Sequence, residues 1–297
     1  MQEYAYQQHH MGTDVTVSLV TDAEIIANRI AAEVFTHIVS AEQTFSRFIP
    51  TSELSQLNAG GTLIVSEFFM TVLEKALALH QQTAGAYNPL IQVARQGYQE
   101  SYPLISEATQ TASSAPYNHT VSDLFYDTTT REIRLAPTQQ LDFGGILKGY
   151  LAEEIASSVM TTYPTCTGTI INIGGDLHTK GLDEDSQPFI FSILNPITSE
   201  EITLSFTNTS LVTSGTYKRH WQTTLGPRHH ILSADGLTNP LSPVVSASVV
   251  YQDGAVAEAF AKYLLITIPT HIDTKLLPIG LQYHLVLKDG SNLTNTL

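Results

Sequence analysis

The chain has 297 residues, 42% of them hydrophobic and only 14% charged, with 28 Asp and Glu against 14 Lys and Arg for a net charge of -14. That apolar content supports a large core and excludes disorder, and no run approaches the ~20 apolar residues of a membrane-spanning helix. An acidic chain without a basic cluster also makes nucleic acid a poor partner.

The N-terminal residues show no basic segment followed by an apolar one, which predicts a chain without a signal peptide and a cytoplasmic location. The alternation of Val15, Val17 and Leu19 predicts a strand. Ile26, Ile30, Val34 and Ile38 recur at steps of four and predict a helix over 23–48. After a polar connector at 51–61, Phe69, Val72, Leu73, Ala76 and Leu77 predict a second helix over 67–84, ended by Gly85. Residues 91–120 are rich in Gln, Ser and Thr and read as a surface excursion. Strand signals follow at 121–126, 131–135, 169–173, 189–194, 202–206, 244–250 and 282–287, with helices over 146–161 and 254–266. Strands and helices mix without a βαβ rhythm, and no linker divides the chain. The pattern predicts an α+β fold, one domain over 1–297, with a largely antiparallel sheet and packed helices.

Several segments carry candidate chemistry. Asp142, Phe143, Gly144, Gly145, Ile146, Leu147 and Lys148 lead into a helix, where paired glycines admit a ligand and free N–H groups favour an anion. An ordinary tight turn with a solvated Lys has the same sequence. Asn172, Ile173, Gly174, Gly175 and Asp176 end a buried strand, and glycine pairs there are also common hairpin punctuation. Thr213, Ser214 and Gly215 suit a phosphate or ribityl contact, or a plain turn between strands. Of His229 and His230, only one can face a site from a strand, and His230 is the candidate base near neutral pH. The sequence holds no HExxH and no GxSxG, which disfavours a zinc enzyme and a serine hydrolase of the elbow type. The single Cys166 excludes an internal disulfide and, lying mid-chain, predicts no lipid anchor.

Taken in order, these segments resemble the ApbE family of FAD:protein FMN transferases. The matching pieces are Met11-Gly12-Thr13, Ser46-Arg47-Phe48, Ser52-Glu53, Leu57-Asn58, Gly85 to Pro89, Asp142 to Gly149 and Asn172 to Asp176. Thr213 to Tyr217, His230-Ile231 and Ala257 to Lys262 complete the series. The resemblance implies an ApbE-like, T-fold-related domain that transfers FMN from FAD to a Thr or Ser of an acceptor flavoprotein, releasing AMP with Mg²⁺ assisting. It implies FAD contacts at Met11, Phe48, Ala86, Tyr87, Asn88, Asp142, Gly144, Lys148 and Ile231, and through Gly174, Gly175, Asp176, Thr213, Ser214 and Gly215. It places the metal at the Gly145 carbonyl and at positions 258 and 262.

The chain departs from the family pattern at those last two positions. The late helix of the family reads Ala-Asp-Ala-x-x-Thr, and here Glu258 replaces the Asp and Lys262 the Thr. Lys262 removes an oxygen ligand and sets an ammonium where a divalent cation belongs, although Glu258 and Lys262 are also an ordinary i,i+4 helix pair. Asn88 stands where the family has Asp, and the turn at 233–236 differs. Two readings remain: an FMN transferase with an altered metal site, or an impaired FAD-binding paralogue in which Lys262 replaces the metal.

Overall fold

The computed structural model describes the chain except for residues 91–92, 99–108, 116–117, 234–235 and 296–297. It opens with a hairpin of β1 (Gln2–His10) and β2 (Thr13–Thr21). The turn residues Met11 and Gly12 both have positive φ, the conformation that matches the twist of the two strands. Then come α1 (Glu24–Phe45), α2 (Glu53–Gly60), β3 (Thr62–Ile64), α3 (Glu67–Gln82), β4 (Phe125–Asp127) and β5 (Glu132–Arg134). The second half holds α4 (Leu147–Thr162), β6 (Gly168–Ile173), β7 (Asp176–Gly181), β8 (Phe189–Leu194), β9 (Glu201–Phe206) and β10 (Ser210–Gly215). It ends with β11 (His220–Thr223), β12 (Gly226–His229), β13 (Val244–Tyr251), α5 (Gly254–Ile266), β14 (Gln282–Leu287) and β15 (Asn292–Thr294).

Eight strands form one antiparallel sheet in the order β1-β2-β6-β7-β10-β13-β14-β15. The inward side chains of its strands, such as Val15, Val17, Ile171, Val212 and Val249, are fully buried. Helices α4 and α5 pack on the central strands and on each other. Their backbones meet at Gly149 and Gly254, where a Cβ on either residue would run into the carbonyl of the other. Phe45, Phe69 and Phe143 join α1 and α3 to the segment before α4, with Phe45 stacked on Phe69 at 5.3 Å and Phe143 edge-on to Phe69 at 5.4 Å.

The four long helices and the predicted α+β class agree with the sequence reading. The polar connector does not: it holds α2, capped by Ser52, whose side chain accepts from Ser55 N at 3.0 Å, and it buries Leu54 and Leu57. Ser210–Gly215 is a central strand rather than a turn. Within 91–120, Gln96 and Tyr98 are buried. Trp221 Nε1 donates to Gln96 O at 2.7 Å, the Tyr98 ring stacks on Trp221 at 5.2 Å, and Gln110 N donates to Gln222 O at 2.8 Å. These residues brace the β11–β12 hairpin; the remainder of the expected excursion lies largely outside the described residues. No described helix is long and apolar enough to cross a membrane.

One buried group makes stability depend on pH. His178 on β7 is 1% exposed, its Nδ1 lies 2.7 Å from Ser210 Oγ, and burial, reinforced by Lys180, lowers its pKa from 6.5 to about 4. The unfolded chain binds this proton more readily, so the stability of the neutral ring is complete above pH 6.5 and is lost as pH falls toward 4. The expected loss is about 3 kcal/mol at pH 4. Thermal melts from pH 7 to 4 should show a falling Tm whose slope His178→Gln reduces, the remainder coming from other histidines whose pKa burial lowers, such as His229 and His230; parallel curves for the two proteins would count against this assignment.

Candidate active site

The site is built where the turns at one end of the sheet meet the start of α4. The β1–β2 turn and the Gly174-Gly175 turn between β6 and β7 lie side by side. Gly174 N donates to Asp14 O at 3.0 Å, and a Cβ on Gly174 would collide with the Thr13 side chain. Both Gly174 and Gly175 have positive φ, and Gly175 N donates to Asn172 Oδ1 at 2.9 Å. That turn delivers Asp176, 2% exposed, to an ion pair with Lys148.

Lys148 sits in the first turn of α4, reached through a fixed approach. Asp142 N donates to Pro89 O, Asp142 Oδ1 accepts from Gly144 N at 2.8 Å, and Leu141 exchanges two hydrogen bonds with Asn58. Arg47 approaches Asp142 at 3.6 Å, lies 4.2 Å from the Phe48 ring centre and donates to Tyr98 O at 2.6 Å. The N–H of Gly149, one of the first-turn groups without a helical acceptor, donates to Glu258 Oε2 at 2.9 Å.

Glu258 is the hinge of the charge arrangement. Its carboxylate is 1% exposed, and its Oε1 lies 3.3 Å from Lys262 Nζ and 3.9 Å from Lys148 Nζ. Lys262 Nζ also donates to the Gly145 carbonyl at 3.1 Å. Gly145 has to be glycine, because a Cβ there would lie 2.9 Å from the Tyr87 ring and 3.0 Å from Lys262 Cε. The buried Tyr87 hydroxyl has no partner, and burial, with Asp142 and Glu258 adding, holds its pKa well above 10.

His230 completes the cluster. Its buried Nδ1 has no partner among the described residues, and its pKa falls to about 3, first through burial and then through Arg219, Lys262, His229 and Lys148. Burial also lowers Lys148 to about 8, against the pull of Glu258 and with the push of Lys262 and Arg219. Lys148, Lys262 and Arg219 thus all disfavour the protonated form of His230, in a chain with only 14 Lys and Arg. His229 feels a different set, His220, Lys288 and Arg228, so the two neighbouring rings sit in separate surroundings. His230 is in its neutral form throughout the physiological range, but the surrounding cations make it a weak base until an anion offsets them.

Other expected contacts have their own partners. Met11 N donates to Glu42 Oε1 at 2.9 Å, Asn88 Oδ1 accepts from Leu90 N at 3.0 Å, and Thr213 Oγ1 lies 2.8 Å from Ser248 Oγ. Ser214 is buried, and Gly215 leaves room for the Tyr217 ring. Ala86 lines a cavity of about 460 Å³ with Thr83, Ser233 and Tyr263. Ile231 is buried, and Asn239 Nδ2 holds the strand end by donating to the carbonyls of His229 and Ile231. Asn239, Trp221 and Arg219 carried no sequence signal. The altered turn at 233–236 includes residues 234 and 235, outside the described set.

The residues do not fit Mg²⁺ between Gly145 and Glu258. An ammonium already bonds both oxygens, and no group of three His, Cys, Asp or Glu side chains converges among the described residues. Mg²⁺ requires near-octahedral oxygen ligation at about 2.0–2.1 Å, which one carboxylate paired to lysines does not offer.

Comparison with known proteins bears on this arrangement. FAD:protein FMN transferase of Klebsiella pneumoniae is 27% identical over 269 residues, covering 85% of this chain and 80% of its own length. The protein of the same name from Chlamydia trachomatis is 26% identical over 262 residues, covering 83% and 78%. The ApbE protein of Thermotoga maritima superposes with a TM-score of 0.84 at 21% identity over 98% of this chain and 96% of its own. The ApbE flavinyl transferase of Pseudomonas stutzeri gives 0.78 at 16% over 99% and 94%; at such identities the likeness speaks for the fold. The profile of the ApbE family matches residues 11–274, and the chain belongs to that family.

Proposed function

We propose that this chain is an FAD:protein FMN transferase that moves FMN from FAD to a Thr or Ser hydroxyl of an acceptor flavoprotein. The observation that carries the reading is the small volume at the start of α4 where two ammonium groups, Lys148 and Lys262, lie 3.9 and 3.3 Å from Glu258 Oε1 and Lys262 donates to the Gly145 carbonyl. A pyrophosphate is the kind of dianion such a volume accepts, and family membership together with the names of the relatives supplies the rest.

In the reaction the acceptor oxygen forms a bond to the FMN-side phosphorus. The bond from that phosphorus to the bridging oxygen breaks, and AMP leaves with the bridging oxygen. Lys148 and Lys262 offset charge on the phosphate oxygens as it shifts to the leaving group. The hydroxyl proton goes to His230, whose weak basicity rises once the pyrophosphate dianion screens the neighbouring cations. Gly145, by lacking a side chain, keeps Tyr87 and Lys262 in place at the rim.

Co-expression with an acceptor flavoprotein should leave flavin fluorescence on the acceptor after SDS denaturation. His230→Asn should lower the transfer rate about a hundredfold with little change in FAD affinity, the range of a general base. An unlabelled acceptor, with the Klebsiella relative labelling its own in parallel, would defeat the proposal. FAD bound without transfer would instead favour the paralogue reading that Lys262 raises.

A further inference from the structure

The Lys262 ammonium differs from the usual lysine of an i,i+4 helix pair. Such pairs lie on solvated faces, whereas here the Glu258 side chain is 1% exposed and the Lys262 side chain 22%. Nor does it bond Glu258 alone: it donates to a backbone carbonyl 117 residues earlier in the chain, at 3.1 Å. Its stem packs beside Gly145, the residue whose missing side chain makes room for it. Among the described residues, two of its three N–H donors are satisfied, leaving one for a ligand oxygen.

The charges around it tell against a dication. Glu258 faces two ammonium groups, at 3.3 and 3.9 Å, and the nearby Asp176 is already paired with Lys148. A divalent ion between Gly145 and Glu258 would meet two cations and a single shared carboxylate. The same two oxygens satisfy an ammonium, which needs acceptors and no octahedral shell.

We infer that Lys262 is a built-in cation standing in for a divalent metal, so that this chain binds the pyrophosphate of FAD without Mg²⁺. The inference rests on the proposed function for the identity of the ligand. The ammonium meets the dianion with one positive charge and a directed hydrogen bond, and Lys148, 3.9 Å from the same Glu258 oxygen, supplies a second charge.

Quenching of flavin fluorescence by the purified protein gives the FAD Kd in EDTA and in Mg²⁺. Wild type should give the same Kd in both. Lys262→Met keeps the stem and the helix but removes the charge, and should weaken FAD about tenfold in either buffer, the loss of one charge-assisted contact. Lys262→Thr should weaken FAD in EDTA and recover when Mg²⁺ is added. Mn²⁺ titration of the FAD-free protein, followed by the EPR signal of the free ion, is the independent arm: wild type should leave Mn²⁺ free and Lys262→Thr should take up one equivalent. Circular dichroism checks that each variant is folded, and the wild-type arms decide by themselves if one is not.

Loss of wild-type FAD binding in EDTA, stoichiometric Mn²⁺ uptake by wild type, or an unchanged Kd in Lys262→Met would each overturn the inference. A wild type that binds no FAD in either buffer overturns both the inference and the proposed function. Metal-independent FAD binding without transfer to an acceptor removes the proposed function alone.

Discussion

Glu258→Ala should lower stability by about 3 kcal/mol and Tm by roughly 5 °C. The carboxylate is 1% exposed and holds three partners from two places in the chain: Lys148 Nζ and Gly149 N at the start of α4, and Lys262 Nζ on its own helix. Truncation strands a buried N–H and leaves two ammonium groups facing each other. Removing one partner of a buried ion pair costs about 3–5 kcal/mol, and the lower end applies because both lysine side chains are about a quarter exposed. Lys262→Met placed in the Glu258→Ala background should recover part of the loss, since one stranded charge disappears with it. Urea unfolding of the two single variants and the double would measure that coupling. An additive pair, or a Glu258→Ala protein as stable as wild type, would show that the three contacts do not act together.

Gly149→Ala is expected to cost at least about 3 kcal/mol, the upper end for forcing extra atoms into a packed interior. Its Cβ would fall on the carbonyl of Gly254, and Gly254→Ala would fall on the carbonyl of Gly149. Neither obstacle is a flexible side chain, so relief requires α4 and α5 to move apart over the central strands. The change also displaces the Gly149 N–H that Glu258 holds, so FAD affinity should fall along with stability. Gly60→Ala is the matched control: no atom lies within 4 Å of its Cβ and it ends α2, so this variant should be neutral or gain up to about 1 kcal/mol. Equal denaturation midpoints for the 149 and 60 variants would refute the close-packed crossing.

What was legible in the chain follows from how each element is buried. Helices α1, α3 and α4 each lay one apolar stripe on the core and so carry a strong period, α5 is apolar and buried almost all round, and β2, β6 and β13 are rich in Val and Ile on their buried faces. The eight-residue α2 is too short for a period, and its start is marked by the Ser52 cap rather than by apolar spacing. β1 is an edge strand exposed along most of its length, so Gln, Glu and His occupy positions a central strand would fill with Val. β10 hides behind Thr213, Ser214 and Gly215, the residues that a turn and a central strand over a ligand site both accept.

The candidate site was legible in its residue types and not in its contacts. Lys148, Gly145, Glu258 and Lys262 can be named from their segments, but the bond from Lys262 to a carbonyl 117 residues away is a property of how α4 and α5 cross. His230 likewise reads as a base near neutrality, whereas burial among cations puts its pKa at about 3. Sequence spacing carries no measure of that field. Arg47 is visible beside Phe48, yet only the fold brings it within reach of Asp142 and Tyr98.

The brace between 91–120 and the β11–β12 hairpin has an optical consequence. Trp221 is the only tryptophan in the chain; it lies under Tyr98, bonds Gln96 O and stands nine residues before His230. All indole emission therefore originates at one hinge point of the strand pair that leads into the site. Because a bound flavin absorbs in the region where indole emits, that single fluorophore is a built-in energy-transfer donor to FAD. Movement of the hairpin and arrival of FAD can then be timed separately in an unlabelled protein, one as a shift in emission wavelength and the other as quenching.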